Sequence, residues 1–150
     1  MGEKKVTGRK RHLLVDTLGF ILKVIVTAAS VSDGAGARQV LAAVRPRLSR
    51  LTQLWADSAY QGVVKWLATH WAAVSLEIVK RRPEQVGFEV QPKRWIVERT
   101  FGWLNYWRRL SKDYEYLPRS SESMIYVTSI RIMLRRIVKQ LSSSSDDHFL

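Results

Sequence analysis

Two carboxylates, Asp57 and Glu98, have the residue type and setting to do chemistry. Asp57 closes a short apolar stretch, Leu51 to Ala56, and is followed by the small residues Ser58 and Ala59. The C-terminal end of a strand is where α/β sheets present ligand-binding groups; an aspartate there can equally serve as a helix cap or turn former. Glu98 lies in a segment, Lys93 to Leu110, whose apolar spacing predicts a helix. At ~100° per residue, Arg94, Asn105, Glu98, Arg109 and Gly102 share one narrow arc, opposite Trp103, Ile96, Trp107, Leu104 and Val97. Glu98 is therefore expected to face away from the core. A surface ion pair with Arg94, worth only a few tenths of a kcal/mol, would also account for it. Two carboxylates from different elements suit a hard divalent cation, which prefers carboxylate and phosphate oxygen, and so point to phosphodiester chemistry.

The composition narrows the metal and the partner. The chain has no cysteine and three histidines, so cysteine-ligated zinc and disulfides are excluded and a histidine cage is disfavoured. Lysine and arginine outnumber the acids 25 to 13, for a formal charge of +12. Such a surplus repels itself unless a polyanion neutralises it. Interleaving of arginine with tryptophan and tyrosine suits phosphate contacts and base stacking, so DNA is the expected partner. No apolar run reaches the ~20 residues of a membrane span, and the N-terminus lacks a signal-peptide core. A cytoplasmic protein without membrane attachment is expected. The 46% apolar content over 150 residues is enough for one core.

The elements that must position the two carboxylates follow from periodicity. Residues 1–10 read as a basic arm in which Arg9 and Lys10, with the following Arg11, could touch phosphate. Two apolar runs, His12 to Val15 and Phe20 to Thr27, flank Asp16-Thr17-Leu18-Gly19 and predict a β-hairpin. Asp33 is placed to cap a helix from about Gly34 to Val44, ended by Pro46. A strand at Leu51 to Ala56 leads to a helix from Gln61 to Trp71 with Val64, Leu67, Ala68 and Trp71 on one face. Val74 to Val79 predicts another strand, and Glu84 to Pro92 a loop. A last helix, Ser123 to Leu141, carries Ile130, Met133, Leu134, Ile137, Val138 and Leu141 as its apolar face. Its Arg131, Arg135, Arg136 and Lys139 suit either solvent or DNA. The Ser/Asp tail, 142–150, is too polar to pack. Trp103 and Trp107 read as core; Trp95 and Tyr106 are the better stacking candidates.

The runs GRKRHLLVDTLGFIL, WADSAYQG and RRPEQVGFEVQPKRWIVERTFGWLNYWRRLSKDYE together resemble the catalytic domain of insertion-sequence DDE transposases, in the subgroup without a large insertion before the final glutamate. The likeness extends from Gly8 to about Arg136. It implies an α/β, ribonuclease H-like mixed sheet with flanking helices over residues 11–141. Asp57 would be the second catalytic aspartate and Glu98 the glutamate, holding Mg²⁺, with Mn²⁺ as a substitute, for strand cleavage and transfer at transposon ends. Arg94 matches a basic residue that the family carries four positions before the glutamate. Asn105 stands where the family has a base, a role that Arg108 or Arg109 would take over.

The likeness also implies a first aspartate on a central strand ahead of the hairpin, where only the short basic arm precedes it. Asp16 is expected in the hairpin turn and Asp33 as a cap, so neither fills that position. Two activities are therefore expected: catalysis as the C-terminal part of a transposase, or DNA binding by an incomplete fragment that regulates or complements a full-length transposase, with self-association open.

Overall fold

The computed structural model describes residues 8–79 and 92–146, residues 92–94 and 144–146 by backbone alone. The elements run β1 (Arg9–Val15), β2 (Ile21–Ala28), α1 (Asp33–Val44), β3 (Gln53–Ala56), a 3-10 turn at Ser58–Tyr60, α2 (Gln61–His70), β4 (Ser75–Ile78), α3 (Pro92–Asn105), a 3-10 turn at Arg108–Leu110 and α4 (Pro118–Asp146). This is a mixed α/β arrangement. Among the described residues the strands form two pairs, β1 with β2 antiparallel and β3 with β4 parallel.

The hairpin forms where expected, and Asp16 builds its turn. Its Oδ1 accepts from the backbone N–H of Leu18 and of Phe20, and Gly19 takes φ +87°, a conformation that costs glycine nothing. β1 begins earlier than the sequence suggests, at Arg9, so Arg9 and Lys10 are strand residues rather than part of an arm. The strand includes them because each cation finds a partner. Arg9 pairs with Asp113 and donates to the carbonyls of Glu115 and Tyr116; Lys10 pairs with Asp33.

The outer edge of β2 is covered by side chains instead of a further strand. Tyr126 Oη accepts from Val24 N–H at 3.1 Å and Glu122 Oε1 from Val26 N–H at 2.9 Å, both from α4. Two backbone donors that would otherwise invite another chain are thereby satisfied. α4 also packs Ile125 against Val24 and Val26, and this cluster takes in Leu104 and Leu110. A second cluster joins Leu41 of α1, Leu54 of β3, Val63 and Leu67 of α2, and Val74.

Several expectations need correction. Ser32, not Asp33, caps α1: its side chain accepts from Ala35 N–H, and Asp33 sits in the first turn facing Lys10. On α2 the buried residues are Val63 and Leu67, while Val64 is exposed. α3 ends at Asn105, short of the expected Leu110, because Trp107 adopts an extended backbone before the Arg108–Leu110 turn. Leu104 and Leu110 lie six positions apart, on different faces of a continuous helix; breaking it lets both enter one cluster. Arg109 therefore does not share the Glu98 face by helical phase. α4 is longer than expected at both ends, and residues 142–146 of the anticipated tail continue it. Its expected apolar face is largely outside: Ile130, Leu134, Ile137, Val138 and Leu141 are exposed, whereas Ser121, Ile125, Thr128 and Ser129 are buried. The expected loop at Glu84 to Pro92 lies almost wholly outside the described residues.

Candidate metal and phosphate site

Asp57 leaves β3 directly into a 3-10 turn, and its position is fixed by that turn. Its Oδ1 accepts from Ala59 N–H at 3.0 Å and its carbonyl from Tyr60 N–H, so the capping role is real. Glu98 sits on the exposed side of α3, as its helical phase predicts. α3 is placed against the hairpin turn by two bonds on its opposite side. Thr100 Oγ1 donates to the Gly19 carbonyl and Arg99 Nη2 to the Leu18 carbonyl, each at 2.8 Å. Arg99 also stacks on Trp95 and Trp103.

These elements bring the two carboxylates to one cavity of about 320 Å³, which both Asp57 and Glu98 line. Its walls come from β1 (His12, Leu13, Leu14), α1 (Val40, Leu41), β3 (Leu54 to Ala56) and α3 (Val97, Phe101), with Tyr60 beside Asp57. Val97, expected on the core side of the helix, lines the cavity next to Glu98. The walls are mostly apolar and the acids stand out among them.

Two polar groups here were not foreseen as site residues. His12 is buried, and its Nε2 lies 2.9 Å from Thr27 Oγ1. Burial lowers its pKa, Asp33 opposes that, and Lys10 adds to it. Burial raises the pKa of Tyr60, with Asp33 and Asp57 adding to the effect, so its hydroxyl stays protonated at neutral pH. Tyr60 was visible in the sequence as the third residue after Asp57. His12 carried no signal, because only the pairing of β1 with β2 and the approach of α1 bring it inside.

His12 gives a pH prediction. Its folded pKa lies below the unfolded 6.5, so the unfolded chain takes up a proton that the folded chain resists. The stability this group contributes is present above pH 6.5 and is lost as pH falls through the folded value. Thermal unfolding followed from about pH 7.5 to 5.5 should show a falling midpoint, and His12→Gln should flatten that slope. An unchanged slope in the variant would assign the effect to other groups.

The anticipated phosphate contacts are differently placed. Arg11 donates to the carbonyls of Leu110 and Lys112, and Arg109 pairs with Glu115 at 2.9 Å. Asn105 and Arg108 are exposed, while the Arg94 side chain lies outside the described residues. Arg9, Arg11 and Lys112 line a second depression that shares Phe101 with the carboxylate cavity.

Two carboxylates suffice for one Mg²⁺ when phosphate and water complete its shell, so the donor set fits a hard cation. Among the described residues no group of three histidine, cysteine or acidic side chains is gathered tightly enough to hold a metal. None of their helices is long and apolar enough to cross a membrane.

Residues 2–133 match the family model described as "Transposase DDE domain". A curated protein of Burkholderia cepacia, named "Putative transposase for insertion sequence element IS402", is 32% identical over 115 residues, covering 72% of this chain and 54% of that protein. The chain thus spans about half the length of this relative. No solved structure matches.

Proposed function

The chain belongs to the transposase DDE domain family of insertion-sequence transposases, and on that premise we propose that it forms the C-terminal part of an active site that cuts and joins DNA at insertion-sequence ends. The observation that carries this reading is the cavity lined by both Asp57 and Glu98, residues far apart in sequence and on different elements.

Asp57 and Glu98 would hold Mg²⁺, or Mn²⁺ in its place, which when bound supplies Lewis-acid stabilisation of the charge developing at the reacting phosphate. The chain's own residues do the rest. The turn that fixes Asp57 pre-organises one carboxylate before any cation arrives. Tyr60, kept protonated, can donate to a phosphate oxygen at the cavity edge. Arg9, Arg11 and Lys112 offer charge along the adjoining depression. Lys10, Arg94, Asn105, Arg108 and Arg109 complete the proposed DNA contacts, which position the duplex without reading its sequence.

The proposed sheet is ribonuclease H-like. β1 and β3 both border the cavity, and among the described residues each pairs with a single strand. A central strand ahead of the hairpin, of the kind the family likeness implies, would join the two pairs into one mixed sheet and bring the first aspartate. The second reading follows from the same site: without that carboxylate the chain binds DNA ends and regulates or complements a full-length transposase.

The test is Mg²⁺-dependent cleavage of a labelled insertion-end duplex, with binding measured in parallel. Cleavage abolished by Asp57→Ala and by Glu98→Ala is the result expected of a complete site. Binding without cleavage assigns the chain to the second reading, and absence of both rejects the proposed function.

A further inference from the structure

Glu98 reaches the carboxylate cavity only while α3 keeps its rotation and height, and the residue best placed to fix both is Thr100. It follows Glu98 by two positions, about 200° around the helix, so docking through Thr100 turns Glu98 to the opposite side. Thr100 is 2% exposed, and its Oγ1 lies 2.8 Å from the Gly19 carbonyl of the hairpin turn and 3.1 Å from the Ile96 carbonyl of its own helix. A hydroxyl has one proton to donate. A helical threonine commonly gives it to the carbonyl four residues back; here the nearer acceptor belongs to the other element. The approach is close enough to need glycine: a Cβ on Gly19 would stand 3.0 Å from Thr100 Oγ1 and 3.2 Å from both Arg99 Nη2 and the Trp103 ring. Around this junction Trp95, Arg99, Trp103, Arg136 and Phe20 alternate ring and guanidinium, each guanidinium carbon 4.4 to 4.9 Å from two ring centroids. The last rung, Phe20, is the residue after Gly19, and Arg136 brings α4 onto the same point.

We propose that Thr100 is a positioning residue for the cation site: its hydroxyl latches α3 to the hairpin turn and so holds Glu98 at the cavity that Asp57 lines. The consequence for the cation rests on the reading of Asp57 and Glu98 as its ligands; the latch itself concerns only where α3 lies. Asp57 is fixed by its own turn after β3, whereas Glu98 sits on the exposed side of its helix, so its place relative to Asp57 is only as definite as that of α3. Groups that orient a metal ligand without touching the metal commonly govern about 10- to 100-fold in affinity. Thr100 acts through a turn of helix rather than a direct bond to the ligand, so the lower end is expected. Removing the hydroxyl also leaves the Gly19 carbonyl without this donor, which loosens the turn and the helix together.

The chain has no cysteine, so nitroxides on Lys65→Cys and Glu98→Cys, one on α2 and one at the position of the proposed ligand, report the place of α3 without any metal. Electron–electron distance measurement should give one narrow distribution in the parent background. Thr100→Val, which keeps the shape and removes the proton donor, should broaden or divide it, and Thr100→Ser should restore it. In the unlabelled chain, Thr100→Val should raise the Mn²⁺ dissociation constant about tenfold and Thr100→Ser should return it, both read by water proton relaxation under conditions where the variants are folded. Val44→Ala, a core truncation on α1 outside the cavity wall, should lower stability and change neither readout. If Thr100→Val proves too unstable to fold, Arg99→Met, which removes the bond to Leu18, carries the same test with the same expected direction. An undisturbed distance, a serine variant that fails to restore it, the same disturbance in Val44→Ala, or parental Mn²⁺ affinity in the valine variant would overturn the proposal. A parent that binds no Mn²⁺ rejects the metal reading instead, and the distance measurement then decides the latch alone.

Discussion

Gly36→Ala should destabilise the chain by about 2 kcal/mol, whereas Gly34→Ala, two residues earlier on α1, should be neutral or slightly stabilising. A Cβ on Gly36 would overlap three atoms of the His12 ring, far inside the ~3.5 Å of ordinary contact. The ring is buried and bonded to Thr27, so it can yield only by giving up that bond or by swinging into the carboxylate cavity. Overpacking costs about 1–3 kcal/mol and the lost hydrogen bond about 1 kcal/mol, against a gain of up to ~1 kcal/mol from replacing glycine in a helix. At Gly34 a Cβ would meet only Val63 Cγ2 at 3.9 Å, an ordinary contact, so the helix gain stands alone. Urea denaturation of the two variants measures the difference. Adding His12→Ala to Gly36→Ala should recover part of the loss; a loss unaffected by it would place the clash elsewhere. The cost is large because native domains keep only about 5–15 kcal/mol in hand.

Gly36 also marks what could and could not be seen beforehand. The hairpin, its Asp16 turn, the strand before Asp57 and the exposed side of α3 at Glu98 were legible, because each rests on contacts within a few residues: alternation, a turn glycine, a helical phase. What failed depended on distant partners. Arg9 and Lys10 looked like a loose arm since nothing near them in sequence reveals Asp113, Glu115 or Asp33. α3 was drawn through to Leu110 because periodicity cannot register a break that serves to bring Leu104 and Leu110 into one cluster. The apolar stripe of α4 is legible as a stripe, but periodicity does not say whether that face is covered, and Ile130, Leu134, Ile137, Val138 and Leu141 are exposed. Its buried side is marked instead by Ser121, Thr128 and Ser129, small residues that let α4 lie close to the hairpin, and by Glu122 and Tyr126, whose polar ends close the edge of β2. At the cavity, the two acids stood out as candidates by type and placement, and both line it; His12 did not, since its burial exists only once α1 has closed over β1.

Asp57→Ala and Asp57→Asn should separate the cap that the structure shows from the metal-binding duty proposed for the same side chain. Alanine removes both the oxygen that accepts from Ala59 N–H and the negative charge; asparagine keeps an acceptor oxygen and removes only the charge. Losing the cap costs about 1 kcal/mol, so the alanine variant should unfold at lower denaturant and the asparagine variant should stay near the parent. Cation binding should fall in both, by on the order of tenfold or more, because a hard divalent ion gains most from ionised oxygen and a neutral amide replaces it poorly. Glu98→Gln should reproduce the binding loss. Titration with Mn²⁺ followed by water proton relaxation reports the cation directly, without requiring DNA cleavage. If Asp57→Asn binds Mn²⁺ as the parent does, Asp57 is a cap and nothing more, and the cavity is not the metal site. If Asp57→Asn and Glu98→Gln both lose the ion while keeping parental stability, the two carboxylates act on one cation, as the proposed site predicts.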